Sequence, residues 1–254
     1  GSAKLVNRTG LLFSLMSVLS FLFSFCFFLV SSNGNNSYKE HPPIVKAQNP
    51  LIFSDKVAKK LFGLSYNPLI LKIVFKAIDN LNITTIEEAS HLFGQLACES
   101  ARFKSIDGRY DPNKLDGWKY HGRGIIQLTG LRNYKKAEEA LKIIFVGNSK
   151  EAIRNRARLI DPTETALNVK VLSWYWETRV RTKKYRRFLY KINHYSILQV
   201  TRSIHDPEMS FKTIRGEKIT KYSKWHKKSY WYRVKYTKRV YNHYLKQKKD
   251  NQDK

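Results

Sequence analysis

Cysteine is scarce in this chain of 254 residues, which contains only Cys26 and Cys98. Cys26 lies in an apolar run near the N-terminus, so a chain cleaved after that run would keep one thiol and form no internal disulfide. Small secreted scaffolds commonly depend on disulfides, and this composition argues against that class. A domain of about 200 residues can instead bury a stabilising core without them.

Acidic residues are also few: 20 Asp and Glu stand against 47 Lys and Arg, for a net charge of +27. A protein this basic is drawn to polyanions such as nucleic acids, acidic membranes or wall polymers. A lysine-rich composition with no partner behind it is an equal alternative. From Lys212 onward, basic residues alternate with aromatic ones, a pattern that can bind single-stranded nucleic acid. The simpler interpretation is an amphipathic final helix with its rings inward, and no nucleic-acid partner is expected.

Charge is absent from residues 11–30, a mostly apolar run preceded by Lys4 and Arg8 and followed by small polar residues. This order is typical of a secretory signal. Twenty apolar residues could also span a bilayer, so a retained membrane anchor is the alternative. Either predicts a domain outside the cytosol, secreted or in the cell wall, or anchored there. We therefore divide the chain into a signal or anchor at 1–32, a polar linker at 33–50, a domain at 51–246 and a basic tail at 247–254.

Helical spacing of apolar residues dominates the domain. It predicts two helices between residues 51 and 81, and a third that begins at a capping box formed by Thr84 or Thr85 with Glu87 or Glu88. Residues 134–144 continue as a helix, and the sequence Asp-Pro-Thr-Glu at 161–164 is a strong helix start. The chain is predicted to be mainly α-helical.

Residues 116–134 are different in character. Gly122 and Gly124 bracket an arginine in a sharp bend, where glycine allows positive φ and close approach of a ligand. In the apolar run that follows, Gln127 and Thr129 would point to the same side if the backbone is extended. A bend that presents amide, hydroxyl and aromatic groups suits a neutral, polyhydroxylated ligand.

This stretch resembles the signature of family 19 glycoside hydrolases, which include chitinases and wall lysins. The resemblance is carried by Asn133-Tyr134 and by the run Tyr120-His121-Gly122-Arg123-Gly124-Ile125-Ile126-Gln127-Leu128-Thr129-Gly130. Similarity extends from about residue 51 to residue 244. It implies a lysozyme-like, two-lobed helical domain with a small β/loop element.

The resemblance assigns the general acid to Glu99, within the segment Leu96-Ala97-Cys98-Glu99-Ser100. Glu99 lies near the C-terminal end of its helix, where the helix dipole disfavours a negative carboxylate, and this suits a proton donor. Gln95 lies one turn back on the same face. An exposed surface glutamate is the alternative from the residues alone. The family usually has His before this Glu, where the chain has Cys98.

The second catalytic carboxylate is less obvious. Inverting enzymes place an acid and a base far enough apart to hold a water molecule. The family base is a Glu on a loop that is shortened here, and Asp107, Asp111 and Asp116 are the carboxylates that remain. We predict Asp111 as the base, with Asp116 second. A mechanism with one acid, in which Thr129 orients the water, is the alternative.

The resemblance also implies residues that bind the sugar. Gln127 and Asn133 would bond N-acetyl sugar groups, Thr129 would hold the water, and Arg123 would pin the loop by pairing with a carboxylate. His205 stands where the family has a sugar-binding Asn; a structural histidine is an equal alternative, and the spacing offers no metal site. Stacking on pyranose faces is predicted for two aromatic residues, Trp118 and Tyr120.

The predicted function is endo-hydrolysis of β-1,4-linked N-acetylglucosamine polymers, chitin first and peptidoglycan second, without a cofactor. A glycan-binding protein that has lost its catalytic base is the alternative from another class.

Overall fold

The computed structural model describes residues 49–108, 119–205, 209–215 and 223–253. The chain divides into two units between Lys46 and Ala47, and every described residue belongs to the second. The predicted signal or anchor and nearly all of the predicted linker lie outside the described residues. Within the described ranges, no helix is long and apolar enough to cross a bilayer.

The described residues form nine α-helices, a π-helical turn (Trp176–Val180) and a short 3-10 helix (Arg186–Phe188), which confirms the predicted mainly α class. The α-helices are α1 (Asp55–Phe62), α2 (Pro68–Asn80), α3 (Ile86–Glu99), α4 (Leu131–Leu141), α5 (Lys150–Arg158), α6 (Thr165–Tyr175), α7 (His194–Ile204), α8 (Phe211–Arg215) and α9 (Ser223–Gln252).

The helix starts follow local side-chain chemistry. α2 begins with Pro68 as its first residue, and the Asn67 side chain accepts a hydrogen bond from the Leu69 amide at 2.9 Å. α3 begins after Thr85, whose hydroxyl accepts from the Glu88 amide at 3.3 Å. Both are N-caps that satisfy amide groups without an intrahelical partner. The sequence predicted both of these helices.

α6 starts later than its sequence suggests. The Asp161 carboxylate caps a tight turn instead of the helix, accepting from the amide of Thr163 at 2.8 Å and from its hydroxyl at 2.6 Å. The helix then begins at Thr165, with Glu164 in the capping position and no side-chain cap bond. Asp side chains compete in this way for nearby backbone amides, which favours turns over helix interiors.

α3 forms the centre of the domain and packs along α9. Its residues from Glu88 to Ala97 are all buried. At the crossing, a Cβ added to Gly94 would lie 2.7 Å from the backbone nitrogen of Thr237 and closer still to its hydroxyl. The two backbones approach this closely because Gly94 has no side chain. This contact fixes how the C-terminal end of α3 faces α9.

Aromatic rings fill the core around this crossing. Phe93 of α3 packs against four other phenylalanines with ring centroids 4.9 to 6.3 Å apart, namely Phe53, Phe62, Phe75 and Phe103. A smaller apolar cluster joins α7, α8 and α9 through Ile197, Leu198, Met209, Ile214, Tyr230 and Val234. α9 itself reaches Gln252, so the predicted basic tail from residue 247 continues the helix for six residues.

Candidate active site

The signature residues form a compact turn. Arg123 pairs with Leu128 in an antiparallel bridge, and Asp107 pairs with Arg123 in a second one. Gln127 has φ of 53°, and its amide donates to the Gly124 carbonyl at 3.0 Å. The run after Gly124 is therefore a turn and not an extended strand, so Gln127 and Thr129 are not related by strand alternation. In the described residues, the predicted small β element consists of these bridges.

Gln127 holds this turn together through its side chain. Its Nε2 donates to the carbonyl of Ile106 at 3.3 Å and to that of Gly124 at 3.0 Å. Its Oε1 lies so close to Gly108 and Gly122 that a Cβ at either position would overlap it. Both amide protons are thus used by the backbone, and a sugar could reach only the amide oxygen.

Arg123 and Tyr134 pin the turn to α4. The buried Arg123 donates to the Lys119 carbonyl at 2.9 Å and to the Tyr134 hydroxyl at 3.2 Å. Tyr134 donates in turn to the His121 carbonyl at 3.0 Å. Burial raises the pKa of Tyr134, while the Arg123 charge and bond oppose that rise. Arg123 thus holds the loop through a phenol and a backbone carbonyl, whereas the predicted partner was a carboxylate.

Tyr120 corrects one prediction. The residue is only 6% exposed, and its ring packs against Tyr134 with centroids 5.4 Å apart and against the Arg156 guanidinium at 5.5 Å. Its hydroxyl accepts from the Gly147 amide at 3.1 Å. A ring covered in this way cannot stack on a pyranose face, so Tyr120 supports the loop from below.

Thr129 and Asn133 lie at the exit of the turn, where α4 begins. The exposed Thr129 hydroxyl donates to the Gln127 carbonyl at 2.7 Å, and Asn133 Nδ2 donates to the Thr129 carbonyl at 2.8 Å. The Asn133 Oδ1 accepts from Arg179 Nη2 at 2.9 Å. No pattern in the sequence points to this arginine, which stands on the π-helical turn, a distortion frequent at functional sites.

Glu99, the predicted acid, is the last residue of α3 and forms an ion pair with α9. Arg233 Nη2 donates to Glu99 Oε1 at 2.6 Å. The Arg233 side chain is 1% exposed and that of Glu99 is 13% exposed. Burial alone would lower the pKa of Arg233, but the Cys98 and Glu99 side chains raise it overall. A permanent cation therefore orients the carboxyl of Glu99.

A buried chain of hydrogen bonds holds Arg233 in place. Its Nη1 donates to Gln95 Oε1 at 2.7 Å, and Gln95 Nε2 donates to the Thr201 hydroxyl at 3.1 Å. Gln95 and Thr201 are both fully buried. Three helices, α3, α7 and α9, thus fix the carboxyl of Glu99. Helical spacing correctly places Gln95 beside Glu99, but it does not reveal the arginine that bonds to both.

Tyr175 is buried beside the end of α7, where its hydroxyl donates to the Ile204 carbonyl at 3.1 Å. Burial raises its pKa, and the charges of Arg179, Glu99 and Arg233 all act on its hydroxyl. Arg179 bonds to Asn133, and Arg233 bonds to Glu99.

Among the described residues, Asp107 is the acidic side chain on the loop that pairs with the signature turn. Its Oδ1 lies 3.0 Å from His121 Nε2, and its carboxylate is about half exposed. The pair lines a cavity of about 490 Å³ together with Lys119 and Arg156. The predicted bases Asp111 and Asp116 and the predicted stacking residue Trp118 lie outside the described residues.

His205 caps the C-terminal end of α7, next to α9. Its ring centroid is 4.3 Å from that of Trp225 and 6.3 Å from that of His226. Trp225 is itself about half exposed. The contact gives His205 a structural role, and its predicted contact with the sugar stays a prediction.

Comparisons with known proteins agree with the resemblance seen in the sequence. No protein-family model matches the chain. A curated Haemophilus influenzae protein described as "Glycosyl hydrolase family 19 domain-containing protein" is 36% identical over 74 residues, 28% of this chain and 30% of that protein. The match thus spans less than a third of the relative's length.

Two solved structures share the fold. Chitinase C from Streptomyces griseus HUT6037 has a TM-score of 0.50 at 17% identity, covering 78% of this chain and 95% of that one. A point mutant of chitinase C gives the same TM-score and identity, with 77% and 95% covered. At this identity the likeness shows the fold alone. The predicted resemblance to family 19 and the lysozyme-like helical fold are confirmed.

Proposed function

We propose that this chain, a relative of the family 19 glycoside hydrolases, cleaves β-1,4-linked N-acetylglucosamine polymers, with chitin as its first substrate. The observation that carries the proposal is the position of Glu99. Its carboxyl is fixed by the buried Arg233 and stays partly open to solvent. A carboxyl held rigidly beside hydrogen-bonding groups is the arrangement that positioned acid catalysis needs.

Glu99 acts as the general acid in this proposal. Since Oε1 accepts from Arg233, Oε2 is the oxygen that carries the proton toward the glycosidic oxygen. The bond between that oxygen and the anomeric carbon breaks as the proton is transferred. A water molecule attacks the anomeric carbon from the opposite face and loses its proton to a base, so the product has inverted configuration.

The base is assigned to Asp111, with Asp116 as the second choice. Both belong to the short loop before the signature turn. The alternative is that neutral groups hold the water: the Thr129 hydroxyl gives its proton to the Gln127 carbonyl, so its oxygen remains able to accept from water. Asp107 is the third carboxylate of this region and already has His121 as a partner.

Sugar binding is assigned to Asn133, Thr129, Trp118 and His205, with Gln127 contributing its amide oxygen. Asn133 Nδ2 uses one proton on the Thr129 carbonyl, so its second proton can reach an acetamido oxygen. Arg179 fixes the amide of Asn133 by bonding its oxygen. This bond sets which way the asparagine presents its donor.

Peptidoglycan is the second candidate substrate, and Arg179 favours it. Arg179 is half-buried beside Asn133, where it brings a positive charge to the sugar-binding side. A glycan that carries carboxylates alongside N-acetylglucosamine would pair with it, whereas neutral chitin would not. The apolar run at 11–30 supports a protein that is secreted or anchored with its domain outside the cytosol. Both polymers are found there.

The test incubates the purified full-length protein with chitin hexamer and, separately, with peptidoglycan. We expect new reducing ends from chitin hexamer by mass spectrometry and α-anomers as first products by proton NMR. Release from peptidoglycan alone would select the second substrate. Binding of either polymer with no release of sugar would favour a glycan-binding protein that has lost catalysis.

A further inference from the structure

One face of α9 carries a row of exposed cations. Its members lie on the solvent side of the helix at Lys224, Lys228, Lys235, Lys246 and Lys249. At 3.6 residues per turn these positions fall within about 60° of one another. We call this row the lysine stripe. From Lys224 to Lys246 it is straight and about 33 Å long, at a rise of about 1.5 Å per residue.

The stripe is almost free of opposing charge along its own helix. α9 contains ten Lys or Arg residues and one acid, Asp250, in its last turn. A helix face stabilised as an ordinary solvated surface usually alternates charges of both signs. Lys224 and Lys228 are four residues apart and Lys246 and Lys249 are three apart, and like charges at these spacings repel one another and weaken an isolated helix. The arrangement is therefore better matched to a partner that neutralises it.

A groove extends the stripe at its C-terminal end. It lies between α1 and α9, has a volume of about 600 Å³, and is lined by Lys56, Lys60, His243 and Lys246 among other residues. Burial and the Lys60 charge lower the pKa of His243. Lys246 belongs to both features, so the groove and the stripe form one continuous surface on which lysines outnumber the single acid of the groove, Asp250.

The geometry favours a flexible chain over a duplex. A straight, single row of cations can follow an extended polymer over its whole length. The phosphates of a nucleic-acid duplex wind around its axis, so they would meet a straight row only over a short stretch. Single-stranded nucleic acid binds through aromatic rings on which successive bases stack. Trp225 and Trp231 of α9 are each about half exposed, and each already packs against a ring, that of His205 at 4.3 Å and that of His194 at 5.4 Å, so neither is a free stacking platform.

We propose that the lysine stripe is a docking surface for a linear phosphodiester polymer without bases, as found in cell envelopes. Arg233 lies on the opposite side of α9, about 180° from Lys224 at 100° per residue. The same helix thus orients the proposed acid with its buried face and binds the polyanion with its exposed face. Docking leaves Glu99 accessible and would hold the domain against an envelope that contains its substrate.

The test measures binding of the full-length protein to poly(glycerol phosphate) as a function of salt, by isothermal titration calorimetry. The stripe variant carries Lys224→Gln, Lys228→Gln, Lys235→Gln and Lys246→Gln. The matched control carries Lys72→Gln, Lys76→Gln, Lys150→Gln and Lys170→Gln, four exposed lysines on α2, α5 and α6. Both variants lose four charges, so only the placement differs.

The stripe variant is expected to bind at least tenfold more weakly at 50 mM salt, with the slope of log K against log salt reduced by about 3. The control should stay within threefold of the parent. Equal loss in both variants, or tighter binding of oligo-dT or duplex DNA of the same charge, would overturn the proposal. Cleavage of chitin hexamer, assayed alongside, reports the hydrolase separately, since no substituted residue belongs to the proposed active site.

Discussion

The guanidinium of Arg233 donates a 2.6 Å hydrogen bond to Glu99 from a site that solvent does not reach. The two residues are 134 positions apart in the chain, and the crossing of α3 with α9 brings them together. The cation is buried and the carboxyl is partly open to solvent, so one partner is fixed and the other can meet a ligand. The proposed chemistry depends on this asymmetry.

Replacing Glu99 with Gln tests the acid directly. Gln keeps an oxygen that accepts from Arg233, so the fold and sugar binding should persist, while the proton for the leaving group is lost. We expect turnover of chitin hexamer to fall by roughly 10² or more with binding within a few fold. Glu151→Gln, at an exposed position on α5, is the matched control. Parent-like cleavage by Glu99→Gln would remove the acid from this residue.

Replacing Arg233 with Leu tests the support of the acid. The change leaves Glu99 and the buried Gln95 oxygen without their donor, and breaking a buried pair costs about 3 kcal/mol or more. Urea unfolding should show this loss, and activity should fall as well. Arg154→Leu, at an exposed position on α5, is the control and should cost well under about 1 kcal/mol. Equal losses in the two variants would show that the pair contributes little.

The close approach of α3 and α9 predicts that a single methyl group added at Gly94 lowers both stability and activity. Gly94→Ala would place a Cβ against the backbone and side chain of Thr237, which α9 cannot move without shifting Arg233. Overpacking of this kind costs about 1–3 kcal/mol. Activity should drop more than stability accounts for, because Glu99 follows on the same helix. Thermal unfolding measures the loss of stability, and activity is assayed at a temperature at which both proteins are folded, so the two effects are separated. Unchanged stability of Gly94→Ala would contradict the close crossing of α3 and α9.

Local signals in the sequence predicted much of this fold, because they act between neighbours. Thr85 caps α3 and Pro68 opens α2 through groups a few residues away. Asp161 was misplaced because two local roles compete for the same carboxylate: it closes a turn with Thr163 instead of capping α6.

The candidate site was predictable only in part, since its central contacts join distant segments. Helical spacing placed Gln95 beside Glu99, but Arg233 and Arg179 lie 134 and 46 residues away from their partners in the chain. One signal was present: Arg233 stands at an inward position of α9, one residue before the buried Val234, where a cation needs a partner. Tyr120 was misassigned because its exposure depends on α4 and on Arg156, which spacing does not reveal.

His91 makes stability depend on pH. It is completely buried on α3, and burial lowers its pKa from 6.5 to about 4, although a bond to the Lys191 carbonyl at 2.8 Å opposes the shift. The unfolded chain therefore binds a proton at higher pH than the folded one. The contribution of neutral His91 to the free energy of unfolding is complete above pH 6.5. It is lost as pH falls from 6.5 to 4, by about 3 kcal/mol in total.

The measurement compares the parent with His91→Gln by urea unfolding at pH 7, 5.5 and 4.5. Other groups titrate in both proteins, so the difference between them isolates His91. The parent should lose more stability than the variant as pH falls. Parallel losses in both proteins would show that His91 is not the group responsible.

Replacing three aspartates on one stretch of chain, one at a time, tests which of them is the catalytic base. If Asp111 activates the water, Asp111→Asn should abolish turnover and Asp116→Asn should only weaken it. Asp107→Asn should leave most activity, because that carboxylate is paired with His121. Since Asp is shorter than Glu, the water must lie nearer the backbone than in an enzyme with a Glu base, or be bridged by a second water.

The stereochemistry of the product decides between the remaining mechanisms. An acid and a base that flank the sugar with water between them give an inverted product, which proton NMR detects as the α-anomer. If the Asp111→Asn and Asp116→Asn variants stay active and the product is still inverted, neutral groups hold the water, with Thr129 and Asn133 the nearest candidates. Thr129→Val should then abolish turnover. If Asp107→Asn alone is inactive, the base is the carboxylate that His121 orients, and the assignment to Asp111 is wrong.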